Sequence, residues 1–206
     1  MRTITVTGQG SEDIPTTLTQ ARLAVEVQAR TAEEAQREAA RRSTAVVQLL
    51  RSRNVQKLQT TGVNLNPVYS YENNRQRITG YSASNAVSFE ILTEQAGSIL
   101  DDAVNAGATR IDGVSFVASD EAIATARQQA LREATQEARQ QAQAVLESLN
   151  LREQEIVGIQ VNGASAPVPP PMPFAAMAQR AEADATTPIV GGDQEVQASV
   201  TLQIRY

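Results

Sequence analysis

Cysteine and histidine are both absent from this chain. Without cysteine there is no disulfide framework, no thiolate nucleophile and no zinc–thiolate site. Without histidine the chain loses the commonest general base near neutral pH, the commonest metal ligand and any Ser-His-Asp triad. Lysine is almost missing too: of 18 basic residues only Lys57 is a lysine. Arginine dominance of this kind reads as a compositional bias rather than a recognition device. The net charge of -5 argues against nucleic acid as a partner. No run of 18 apolar residues exists, so no helix is expected to span a membrane. Met1-Arg2 leads straight into a strand pattern with no leader signature, which fits either a cytoplasmic protein or one whose leader has been removed.

What is present is regular patterning. The 206 residues allow one large domain or two small ones, and a chain this long buries about 70% of its unfolded surface and needs no staples. Ile4 and Val6 alternate with threonines as a short strand. Gly8 to Pro15 reads as a turn. Ala21, Leu23, Val25, Val27 and Ala29 mark one face of a second strand, as a half-buried antiparallel strand should. Thr31-Ala32-Glu33-Glu34 matches a capping box, opening a helix to about Ser52, with Asn54 as its stop. Residues 58–72 form a strand with Val63, Leu65, Pro67, Tyr69 and Tyr71 in one register. Pro67 places that strand at an edge or at a bulge. Glu72-Asn73-Asn74-Arg75 is a turn-former, making residues 58–92 a long hairpin. Asn85, Val87, Phe89 and Ile91 share one face of its return arm.

A second helix runs from near Thr93 to Gly107, a C-cap residue. Ile111 to Ala118 is a strand. Ser119 or Asp120 then caps a long helix ending near Leu149. Alanine recurs in it every four residues, at 122, 126, 130, 134, 138 and 142, the pattern of a helix lying close on a sheet. Ile156 to Val161 is a strand. Residues 164–187 form a Pro/Ala-rich loop, and the break from Gly163 onward excludes regular structure at its start. Glu195 to Tyr206 is the cleanest alternating strand. The fold class is therefore α+β: a largely antiparallel or mixed sheet with three helices, βα-repeat-like halves and a long central hairpin, in a single domain spanning 1–206.

Motifs that carry chemistry are few. Gly8-Gln9-Gly10 lacks the third glycine and the following helix of a dinucleotide fingerprint. Asp101, Asp102, Asp112, Asp120 and Glu121 sit near element ends, where carboxylates serve as ordinary dipole partners. Arg37, Arg41, Arg42, Arg51 and Arg53 interleave with Glu33, Glu34 and Glu38 at ion-pair spacing. Four of the seven aromatics are tyrosines. Three of these, Tyr69, Tyr71 and Tyr81, fall close together on the hairpin. With Met172, Phe174 and Met177 of the Pro/Ala loop they form the set of candidate ligand or assembly contacts. No catalytic, cofactor or metal residues are assigned. An enzyme would need a carboxylate-only or Ser/Lys site.

Ile4–Gly10, Leu65–Tyr71, Gly80–Asn85, Ala106–Phe116 and Gln194–Leu202, in that order and spacing, resemble the SIMPL-domain family, as does the Pro-Met loop before the last strand. This family includes bacterial envelope proteins of the periplasmic immunogenic type and an oxidative-stress-associated relative. The resemblance implies an α+β fold, a periplasmic or outer-envelope location and self-assembly into ring- or channel-like homo-oligomers. It implies no catalytic residues and no cofactor. The expected function is a non-enzymatic envelope protein supporting stress tolerance or envelope integrity. The alternative is a binding module for a small molecule, peptide or lipid built on the tyrosines and the Pro/Met loop.

Overall fold

A computed structural model of the chain describes residues 2–72, 75–167 and 191–206. The elements run β1 (Thr3–Pro15), β2 (Leu18–Ala29), α1 (Ala32–Ser52), β3 (Gln56–Glu72), β4 (Arg75–Leu92), α2 (Thr93–Ala106), β5 (Arg110–Val117), α3 (Asp120–Ser148), β6 (Glu155–Ser165) and β7 (Asp193–Arg205). This is the expected α+β order with three helices. The strands divide between two sheets, ordered β1-β7-β6 and β3-β4-β2-β5. The chain forms two compact units, each built on one of these sheets.

The first unit is the three-stranded sheet with α3. β7 is its central strand and pairs antiparallel with both neighbours. Its alternation is as clean in space as in sequence. Val196, Ala198, Val200, Leu202 and Ile204 are buried, and Leu202 and Ile204 pack against Ala134, Ala138 and Ala142 of α3. Burying a Leu or Ile side chain contributes about 1.5–3 kcal/mol, several times what a methyl can give. The alanines therefore matter chiefly for how closely they let the helix approach. Ser119 starts α3 by accepting a hydrogen bond from the Ala122 amide at 3.2 Å.

That approach corrects the reading of Gly8 to Pro15 as a turn. These residues continue β1 without a break, paired from Thr3↔Arg205 to Pro15↔Asp193. A Cβ on Gly8 would stand 2.1 Å from the Ala134 carbonyl oxygen, and one on Gly10 would stand 2.2 Å from that of Ala130. The glycines are there because helix backbone occupies the space, not because the chain reverses. Likewise Gly163 to Ser165 belong to β6, against the expectation that regular structure ends at Gly163. A register shift between Val161 and Ala164 absorbs the glycine. Of the 164–187 loop, residues 168–187 lie outside the described residues, as do Asn73 and Asn74 of the hairpin turn.

The second unit is the four-stranded sheet with α1 and α2. The Thr31 hydroxyl accepts from the Glu34 amide at 3.2 Å, so the expected cap starts α1. Gly107 ends α2 with φ 125°, a conformation that favours glycine. Leu23, Val25, Val87, Phe89 and Ile91 from the sheet pack with Val46 and Leu50 of α1 and with Ile99 and Leu100 of α2.

Candidate functional site: an uncovered stripe on the central hairpin

Among the described residues β3 pairs only with β4 and is an edge strand, one of the two placements that Pro67 allowed. Their register sets Val63 opposite Asn85, Leu65 opposite Ala83, Pro67 opposite Tyr81, Tyr69 opposite Ile78 and Tyr71 opposite Gln76. Opposed residues in an antiparallel pair share a face. Val63, Leu65, Tyr69, Tyr71 and Ile78 thus form one apolar stripe, and each is exposed, from 44% for Leu65 to 74% for Tyr71. α1 lies mainly over β4 and β2 of this sheet, so the β3 side of the face stays bare.

β2 ends at Ala29, which pairs with Tyr81. Beyond it, Arg75 to Gly80 pair with β3 alone, so the hairpin continues as a two-stranded arm. On the opposite face of the arm Ser70 faces Arg77. A two-stranded ribbon in water is at best marginally stable without something packed on its apolar face.

Tyr69 and Tyr71 are therefore brought together on the stripe. Tyr81 is set apart from them at the arm's root, half-buried against Ala35, Ala39 and Ala83. Gly80 beside it is forced by packing, since a Cβ there would stand 2.7 Å from the Ala29 carbonyl oxygen. A shallow hollow of about 230 Å³ opens at this root, between Arg30, Val68, Thr79 and Tyr81. Met172, Phe174 and Met177 lie outside the described residues.

Ile78 is the stripe residue that alternation alone misses. Counting by twos from Tyr81 puts it on the other face. The register shift between Val68 and Tyr69 leaves Thr79 as an extra residue, and this returns Ile78 to the tyrosine side. Its signal lies in the bulge, which no local pattern announces.

The charged groups form ion pairs elsewhere. Glu38 of α1 binds both Arg41 and Arg42, which hold its carboxyl down at about 2. Asp102 pairs with Arg53, and Arg110 with Asp112 and Glu26. The Asp112 hydrogen bond is the main cause of a raised Arg110 pKa. Asp120 and Glu121 sit in the first turn of α3. Lys57, the sole lysine, lies 3.1 Å from the carboxylate of Glu90, which is 4% exposed. No group of three or more acidic side chains converges to hold a metal among the described residues. Among those residues no helix is long and apolar enough to cross a membrane.

The chain is 28% identical to the 26 kDa periplasmic immunogenic protein of Brucella melitensis over 217 aligned positions, covering 97% of this chain and 82% of that protein. Residues 4–204 match the family described as SIMPL, protein of unknown function (DUF541). With nearly its whole length in that match, the chain belongs to the SIMPL family.

Proposed function

We propose that this is a non-enzymatic protein of the bacterial envelope that assembles with copies of itself, in a ring- or channel-like homo-oligomer, and supports envelope integrity or stress tolerance. The observation that carries the reading is the stripe: five large apolar side chains on one face of an edge hairpin, open to solvent. Contiguous exposed apolar patches mark interaction surfaces. The periplasmic relative supports the envelope location.

Light scattering after size-exclusion chromatography at micromolar concentration tests the assembly. The parent chain should elute as a multiple of 22.1 kDa. The Tyr69→Ser/Tyr71→Ser variant should shift toward the monomer with unchanged circular dichroism. A monomeric parent across the accessible range refutes the proposal. Growth of a deletion strain under detergent or peroxide stress tests the cellular role.

A binding module for a small molecule, peptide or lipid is the second reading, and the root hollow is its support. At about 230 Å³ it falls below the roughly 300–1,000 Å³ usual for small-molecule sites. Assembly through the stripe is accordingly the preferred use of these tyrosines.

A further inference from the structure

The two edges of the β1-β7-β6 sheet are treated differently. On β1 the Gln9 amide donates to the Glu137 carboxylate, and the Ser11 amide donates to Glu133 at 3.1 Å. Both acids belong to α3, which lies over β1 and β7. These outward amides are occupied, so a further strand cannot add there without displacing the acids.

β6 has no such cover among the described residues. Its Ile156 pairs with Ile204, Ile159 with Leu202 and Val161 with Val200, so all three share the face that α3 packs on. α3 barely reaches them. Leu202 and Ile204 are fully buried, whereas Ile159 is 67% and Val161 58% exposed. From Ile156 to Ala164 the strand carries no charged residue and no proline. Natural edge strands are normally blunted by such residues.

We propose that β6 is a pairing edge for a second copy of this chain, two β6 strands running antiparallel about a two-fold axis at Gln160. The inference rests on the self-assembly reading and assigns it an interface distinct from the tyrosine stripe. The strand's own pattern selects this register. It places Ile159 opposite Val161 of the second copy, and the reverse, with Ile156 opposite Ala164. Glu155 falls opposite Ser165, so no like charges meet. A one-residue slip would set Ile159 beside Gln160 and turn the apolar face of one sheet toward the polar face of the other. A centre at Gly158 would set Val161 against Glu155. The pairing joins two three-stranded sheets edge to edge and makes their apolar stripes continuous.

The absence of cysteine makes the test direct. In this register two copies of residue 160 lie opposite each other, within the Cα range of a disulfide, about 4.4–6.8 Å. Residue 162 lies opposite 158, so two copies of it are offset by four residues, or about 13 Å. Under mild oxidation Gln160→Cys should give a covalent dimer on a non-reducing gel, at least fivefold more than Asn162→Cys. Adding Ile159→Lys to Gln160→Cys should lower that yield while circular dichroism stays unchanged. No Gln160→Cys dimer, or equal yields at 160 and 162, from a chain that scatters as an oligomer overturns the β6 pairing and leaves self-assembly standing. A chain that scatters as a monomer at every concentration overturns both.

Discussion

Replacing Gly8 or Gly10 by alanine adds one methyl group, and the structure says where it must go. At Gly8 the new Cβ meets the Ala134 carbonyl oxygen at 2.1 Å and the Ala138 amide nitrogen at 2.4 Å. At Gly10 it meets the Ala130 carbonyl oxygen at 2.2 Å and the Ala134 nitrogen at 2.7 Å. These are helix backbone atoms, which cannot rotate aside like the end of a side chain. Reaching an ordinary contact of about 3.4 Å requires α3 and β1 to separate by roughly 1.3 Å. Overpacking of this kind costs about 1–3 kcal/mol, and the backbone location argues for the upper end. Separation also stretches the carboxylate hydrogen bonds to Gln9 and Ser11, each worth about 1.5–3 kcal/mol to a charged group. Opposing this, a Gly→Ala change gains only about 0.4–1 kcal/mol from a less flexible unfolded chain.

The net expectation is a loss of about 3 kcal/mol or more for either substitution. For a chain of this size that lowers the thermal transition by roughly 6–12 °C. Thermal and urea unfolding followed by circular dichroism measure it. Gly62→Ala is the control, because a Cβ there meets only the Asn64 side chain at an ordinary 3.6 Å. It should be neutral or slightly stabilising. If Gly8→Ala and Gly62→Ala behave alike, the close-approach argument is wrong.

Ser43 Oγ and Asn85 Oδ1 are both buried without a hydrogen-bond partner among the described residues, and the two residues line the same small cavity. Ser43→Ala removes one orphan group, so it should leave the urea midpoint unchanged or raise stability by about 1 kcal/mol; a clear loss would refute this. Lys57→Met leaves the Glu90 carboxylate without its ion pair and should cost about 2 kcal/mol, less than a fully buried pair because Lys57 is half exposed. Lys57→Met/Glu90→Gln should recover at least half of that loss in the same unfolding assay. Glu38 has a carboxyl pKa lowered from 4.5 to about 2, so its stabilising effect is fully present above 4.5 and disappears as pH falls toward 2. Glu38→Gln should therefore melt below the parent at pH 7 and level with it near pH 2.

Local signals announced most of the elements. The capping box at Thr31 and the C-cap at Gly107 set helix ends, and the alternation of β7 needed no correction. Pro67 narrowed its strand to an edge or a bulge, because a missing donor has few tolerable places in a sheet. What stayed hidden depends on residues far apart in the chain. A turn and a close helix both exclude a Cβ, so Gly8 and Gly10 look the same in either role. The alanines that distinguish the two begin some 120 residues later, at Ala130. The division of seven strands into two sheets is equally non-local, since β1 finds its partner at the far end of the chain. At the candidate site Tyr69 and Tyr71 were legible from their spacing. Ile78 was not, because the bulge that reorients it leaves no mark in composition.

The segments that carry the family resemblance can now be read physically. Gly8 and Gly10 admit α3, Gly80 admits the end of β2, and Val200 and Leu202 form the floor beneath the alanine stripe. Each is explained by packing, and none requires a ligand. The surfaces with unmet needs are the outer side of β3, where Leu65, Tyr69 and Tyr71 of those segments are exposed, and β6, which lies outside them. Both are edges whose apolar residues face solvent, while β1, the other edge of the β6 sheet, is closed by two glutamates. A chain that shields one edge with carboxylates and leaves two apolar edges bare has its contacts with other molecules directed by that difference. The chemistry to test first is therefore strand and face pairing rather than turnover.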